Sequence, residues 1–193
     1  MSKNTLLIMP SVLKERSGIH TNIDDKLIFP EIKAAQDMHI LPLLGSGLFH
    51  KIQDEIEAET LSGNYKDLMD DYIIDALCNY VLSELPEGLN YQFWNKGVST
   101  NTDPNSNQPS MSEMYSTMSK SKNRAEHYAK RCRLFLVQNS PAMFPEYSQT
   151  ASGVDVIAPE GTSFVSPIYL GLQRMEIKPN RDPNYNSNDP FIY

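Results

Sequence analysis

Over the first 147 residues, apolar positions recur at three- and four-residue steps, the period of helices that bury one face. Asn22-Ile23-Asp24-Asp25 supplies a helix cap with acidic residues in the first turn, and Ile32, Ala35, Gln36 and His39 follow at helical spacing. The run Ile40-Leu41-Pro42-Leu43-Leu44-Gly45 ends that helix and turns the chain. A second helix is predicted over 46–60, with Leu48, Phe49, Ile52 and Ile56 on one side. Gly63-Asn64 marks a turn. The third helix, about 65–85, rests on Leu68, Tyr72, Ile73, Ala76, Leu77, Tyr80 and Val81, and Pro86 with Gly88 closes it. Ser110 and Glu113 form a capping box that opens the longest helix, striped by Met111, Met114, Tyr115, Met118, Ala125, Ala129, Cys132 and Leu136 with Lys122 interrupting. At about 30 residues and roughly 45 Å it outreaches the others, so one end should project or meet a neighbour.

These elements predict a mainly α protein: an antiparallel helical bundle of about four helices, the last one long, over 23–147. An N-terminal arm, 1–22, precedes it, with Pro10 and Gly18 breaking any early pattern. The connection 86–109 opens on Tyr91, Phe93 and Trp94 and then turns polar; Trp94 should anchor its first half, and loops of this length usually carry function or are disordered. Pro42 and Gly45 are read as further structural anchors.

Beyond Tyr147 the helical period stops. Residues 148–193 hold five prolines among scattered large side chains, with hints of strand at Val154/Val156, Phe164-Val165 and Met175/Ile177. This reads as an extended C-terminal arm containing short β-strands, which cannot stand alone in water. Its Phe164, Tyr169, Tyr185, Phe191 and Tyr193 must find the body or another chain. With Met111, Met114, Tyr115 and Met118, whose flexible thioethers suit adaptable contacts, they form the predicted subunit or partner interface.

Charge narrows the function. The net charge of −7 argues against tight phosphate binding. Lys120, Lys122, Arg124, Lys130, Arg131 and Arg133 gather on one helix, but Glu126 interrupts them and their spacing spreads them around it, so they read as a solvated face. Cys78 and Cys132 sit among apolar helical residues and are expected as buried free thiols in a protein made in a reducing cytoplasm. No signal peptide or membrane span is evident at the N-terminus or beyond. His20, His39, His50 and His127 lie on separate segments with no partner at metal-ligand spacing. Asp24/Asp25 resemble capping, and Asp70/Asp71 and the stripe Asp54, Glu55, Glu57, Glu59 resemble solvated faces. Gly45-Ser46-Gly47 is neither a phosphate loop nor a nucleophile elbow. The sequence therefore offers no catalytic, metal or cofactor-binding residue.

Three stretches carry a resemblance. Ile40-Leu41-Pro42-Leu43-Leu44-Gly45 followed by Leu48-Phe49-His50-Lys51-Ile52, then Phe93-Trp94-Asn95-Lys96-Gly97-Val98, then Phe135-Leu136-Val137-Gln138-Asn139 with Phe144-Pro145-Glu146-Tyr147, resemble the head–tail connector proteins of tailed bacteriophages. The Asn-, Tyr- and Met-rich style is similar to ring proteins of crAss-like phages. The likeness spans roughly 24–147, and its motifs mark helix ends; the long tail departs from the smallest members. It implies a structural virion protein at the head–tail junction, made in the host bacterial cytoplasm. The implied form is a homo-oligomeric ring matching the twelve-fold portal, a dodecamer. The implied partners are the portal protein, neighbouring copies and other connector or tail proteins, with DNA only as non-specific cargo in the channel, no membrane and no cofactor. A non-catalytic cytoplasmic binding module or regulator, docking on a partner through its C-terminal tail, is the alternative reading of the same residues.

Overall fold

A computed structural model describes residues 4–95, 97–100, 110–148 and 156–160, the side chains of 91–94, 98–100 and 148 excepted. The chain divides into two units, 1–162 and 163–193, and the second lies outside the described residues. What is described is mainly helical.

The residues read as an N-terminal arm contribute to the core. Leu7 and Ile8 are buried, and α1 (Pro10–Arg16) begins on a proline, whose missing N–H costs nothing at a helix start, and buries Leu13. Two glutamines hold this segment from beneath. The Leu7 N–H donates to Gln36 Oε1 (3.0 Å), while Gln36 Nε2 and Gln53 Nε2 both donate to the Thr5 carbonyl (3.2 and 2.7 Å). Gln36 and Gln53 are themselves fully buried, so these bonds satisfy backbone that would otherwise be orphaned away from water.

Helix α2 (Asp25–Ala35) is capped by Asp24, whose carboxylate accepts from the Lys26 N–H (3.0 Å). It runs into a π-helical turn, Gln36–Ile40, and then α3 (Leu41–Glu57), which is kinked at Gly45. Helix α4 (Gly63–Leu68) continues through a second π-helical turn, Met69–Ile73, into α5 (Ile74–Asn90). Pro86 does not close α5 as the sequence suggests; the helix runs on to Asn90 with Pro86 inside it. The residues beyond Pro86 are held by packing, since Leu85 is buried and Leu89 lies against the core.

The strands β1 (Tyr91–Trp94) and β2 (Gly97–Thr100) pair antiparallel, Tyr91 opposite Thr100 and Trp94 opposite Gly97. The buried state expected of Trp94 concerns a side chain outside the description. Helix α6 (Met111–Asn139) and the short α7 (Pro145–Ser148) follow. The capping box holds: the Glu113 N–H donates to Ser110 Oγ (3.3 Å) and the Ser110 N–H to Glu113 Oε2 (2.9 Å). Of the strand expected at Val154/Val156, Val156 is described and belongs to no strand, while Val154, Phe164-Val165 and Met175/Ile177 lie outside the described residues.

One apolar core joins these helices, built on Ile28, Ile32, Leu44, Leu48, Ile52, Leu68, Ile73, Leu77 and Phe144. The most extensive packing is α5 against α6, then α2 against α5. Between the first π-helical turn and α5, His39 stacks on Tyr80 (centroids 4.0 Å apart) and its Nε2 lies 2.8 Å from Glu84 Oε1. Gly88 on α5 leaves room for the Glu31 carboxylate, since a Cβ there would stand 2.5 Å from Glu31 Oε1.

Two consequences can be measured. Gln36→Leu keeps the volume but strands the Leu7 N–H and weakens the hold on Thr5; it should cost about 1–3 kcal/mol, read by urea denaturation, with the native far-UV spectrum retained. Burial, then the neighbouring charges of Glu84 and Glu87, raises the Glu31 carboxyl above its ordinary value. A carboxyl with a raised folded-state pKa stabilises the fold when protonated, so its ionisation costs stability as pH rises through that value. Glu31→Gln should therefore raise the melting temperature at neutral pH. The gain should shrink as pH falls toward the ordinary carboxylate range.

Candidate functional site

The Leu43-Leu44-Gly45-Ser46 stretch is where the C-terminal part of the first unit returns to the body. Gly45 has φ 74° and ψ 158°, values that break a helix and that side chains with a Cβ rarely adopt. In an unbroken helix the Ser46 N–H would donate to the Pro42 carbonyl. Here that pair is opened and each half is satisfied by residues 156–160. The Ser46 N–H donates to the Ile157 carbonyl (2.9 Å), and the Glu160 N–H donates to the Pro42 carbonyl (2.9 Å). The Ile157 N–H adds a third bond, to Ser46 Oγ (2.8 Å). Pro159 fills the space above Gly45, so close that a Cβ there would stand 2.6 Å from its ring. Arg133 of α6 reaches Glu160 across 3.5 Å. Pro42 and Gly45 thus receive residues 156–160.

Helix α6 has two contrasting faces. On the inner one, Ala125, Ala129, Cys132 and Leu136 are buried, and the small residues let neighbouring helices approach closely. Phe135 stacks on Tyr72 of the second π-helical turn (4.2 Å), whose ring also carries the Arg131 guanidinium at 4.7 Å. Phe135 meets Phe144 edge-on (5.9 Å), Phe144 meets Tyr65 (5.7 Å), and the Tyr65 hydroxyl donates to Glu146 (2.8 Å). Burial and that bond push the Tyr65 phenol up to about 12, so it stays a donor at neutral pH.

The outer face is basic. Lys120, Arg124, His127 and Arg131 are exposed and step by four, three and four residues, within an arc of about 60° at 3.6 residues per turn. A depression of about 540 Å³ is lined by Ser116, Ser119, Lys120, Asn123, Arg124, His127 and Tyr128. The helix holds six of the chain's 17 Lys and Arg but two of its 24 Asp and Glu; it is +4 where the remainder is −11.

The predicted interface residues part company. Met111 and Tyr115 are 43% and 52% exposed, Met118 is half-buried, and Met114 is buried within the chain itself. Phe164, Tyr169, Tyr185, Phe191 and Tyr193 lie outside the described residues. Leu134 and Val137, 62% and 55% exposed at the other end of α6, were not singled out by sequence; their signal was position, apolar yet off the Ala125–Leu136 seam, Leu134 opposite it and Val137 on its flank. The three basic residues of the outer stripe were visible in the sequence, but their shared face emerges only once Lys122, Lys130 and Arg133 are set apart from them. Cys78 and Cys132 are buried free thiols, pushed up by burial to about 11 and about 12, so neither is a nucleophile at neutral pH. Among the described residues no group of three or more His, Cys, Asp or Glu could hold a metal, and no helix is long and apolar enough to cross a membrane.

Gly45→Ala forces a Cβ into Pro159 at a φ that disfavours it, and should cost about 1–3 kcal/mol by thermal or chemical denaturation. Truncation after Ser148 removes the three clasp bonds, each worth about 1 kcal/mol net, and should lower the melting temperature by several degrees. Truncation after Thr162 retains the clasp and should not lose these bonds' contribution.

Residues 40–156, more than half of the 193-residue chain, match a protein family described as a family of unknown function, DUF6712. Neither the curated proteins nor the solved structures contain a match. The matched span runs from the end of the first π-helical turn to the first residue of the clasp segment, so the kink, α5, the hairpin strands and α6 all fall inside it. The chain belongs to the family of unknown function DUF6712.

Proposed function

We propose that the protein is a structural virion component, one subunit of a homo-oligomeric ring that joins a bacteriophage head to its tail below the portal and lets DNA pass. The observation that carries this reading is the exposure of large apolar side chains near both ends of α6. Tyr115 stands exposed toward one end and Leu134 and Val137 toward the other, separated by roughly 28 Å along the helix. A subunit in a closed ring must present two different patches, one for each neighbour, because head-to-tail contacts join unlike surfaces. Two separated apolar patches on one rigid helix supply that arrangement.

Other observations support the same reading. The stretches Ile40–Ile52 and Phe93–Val98 resemble connector proteins. In this reading the helices form an antiparallel bundle and the extended C-terminal arm, with its short strands, leaves the body at the clasp. Arms of this kind add strands to a neighbour through main-chain hydrogen bonds. The ring would be a dodecamer on the portal, in contact with other connector or tail proteins, without catalysis or cofactor, and with no membrane association.

Sedimentation of the protein mixed with the portal protein encoded nearest to its gene tests this. A heavy species holding both chains in equal number is the expected outcome. Independent sedimentation of the two at micromolar concentration would overturn the connector reading in favour of a binding module that docks elsewhere through its tail.

A further inference from the structure

The outward stripe of α6 is a second surface, and its chemistry differs from that of the apolar ends. We infer that Lys120, Arg124 and Arg131, with His127 between them, contact the phosphate backbone of double-stranded DNA. The inference rests on α6 alone and does not require the ring.

Three observations carry it. First, basic charge is concentrated against the trend of the molecule: the helix is +4 in a chain of −7. Second, the stripe is continuous, since Lys120, Arg124, His127 and Arg131 share one exposed face and extend roughly 16 Å along the axis. Third, each of the seven side chains lining the depression is a hydrogen-bond donor, and none is a carboxylate. Lys, Arg, Ser, Asn and Tyr are the side chains that hold phosphate oxygens without reading sequence. A protein partner fits less well, because the buried centre of a protein interface is depleted in lysine and enriched in apolar anchors. Single-stranded nucleic acid fits less well too: it is held by exposed aromatic platforms, and Tyr128, the tyrosine of this depression, is half-buried.

Arg131 keeps its guanidinium over Tyr72, which fixes one charge at the end of the stripe. Lys120 and Arg124 are exposed one turn apart. The acidic remainder repels a polyanion at long range, so the contact is weak, sequence-independent and easily removed by salt. That is what a surface needs if DNA is to move past it.

Fluorescence anisotropy of a labelled 20-base-pair duplex with the full-length protein tests the inference. Three phosphate contacts predict about a 40-fold loss of affinity between roughly 50 and 200 mM salt, whatever the sequence of the duplex. The double variant K120E/R124E should lose at least tenfold at low salt and flatten that dependence. K26E/K66E changes net charge equally at exposed sites elsewhere and should lose much less. Circular dichroism confirms that both variants are folded. Four results would overturn the inference: no anisotropy change at about 100 µM protein in low salt, where non-specific binding is normally visible; equal losses in the two variants; tighter binding to a single strand of the same length; or K120E/R124E acting only on self-association.

Discussion

At Gly45 the helical ladder opens, and the energetic question is what becomes of the two groups it releases. A buried amide without a partner costs about 1–3 kcal/mol, and Gly45 and Ser46 are both buried. Residues 156–160 answer by placing one carbonyl and one N–H where the missing helical partners would be. The kink lets α3 change direction after Leu44, so that Leu48, Phe49 and Ile52 reach the same core as Ile32 and Leu44. The sequence cost is a residue without a Cβ, and the structural cost is dependence on a segment more than 100 positions away. Helix 3, the core beneath it and the return of the chain are therefore one interdependent unit.

Helix α6 shows how one element carries two incompatible demands. Its inner seam is built of Ala125, Ala129 and Cys132, small enough for close packing, and larger apolar contact is delegated to Phe135 on the flank. The outer face then has no obligation to the core, and it can carry the basic stripe from Lys120 to Arg131. The two buried glutamines play a comparable part at the other end of the molecule: they are polar, yet they let an extended segment lie against apolar helices with its backbone satisfied.

Local signals were legible in the sequence, and long-range ones were not. Asp24 as cap, the Ser110/Glu113 box and the break at Gly45 are set by residues within a few positions of each other, and all three are found where the pattern puts them. Pro86 misled because a proline weighs against a helix locally, while Leu85 and Leu89 hold it through tertiary packing. The π-helical turns at Gln36–Ile40 and Met69–Ile73 leave no composition signal; each inserts a residue that rephases the faces before and after it. Residues 1–22 looked like an arm because their anchors, Gln36 and Gln53, lie far away in sequence. Of the candidate site, Pro42 and Gly45 were marked as important but their partner was not, since nothing in the tail announces that Ile157 and Pro159 fit Gly45. The basic stripe was obscured by counting Lys122, Lys130 and Arg133, which point elsewhere, together with the residues that share its face.

The clasp also has a mechanical meaning. Tension carried along residues 156–160 falls on the Pro42 carbonyl and on the amide and hydroxyl of Ser46. Because those bonds end on a kinked helix seated in the core, a pull on the tail would be felt as a torque on α3, at the position where its backbone is already bent. Bend and tether are thus one joint, since the glycine that lets the helix turn also makes room for the proline that holds the returning chain.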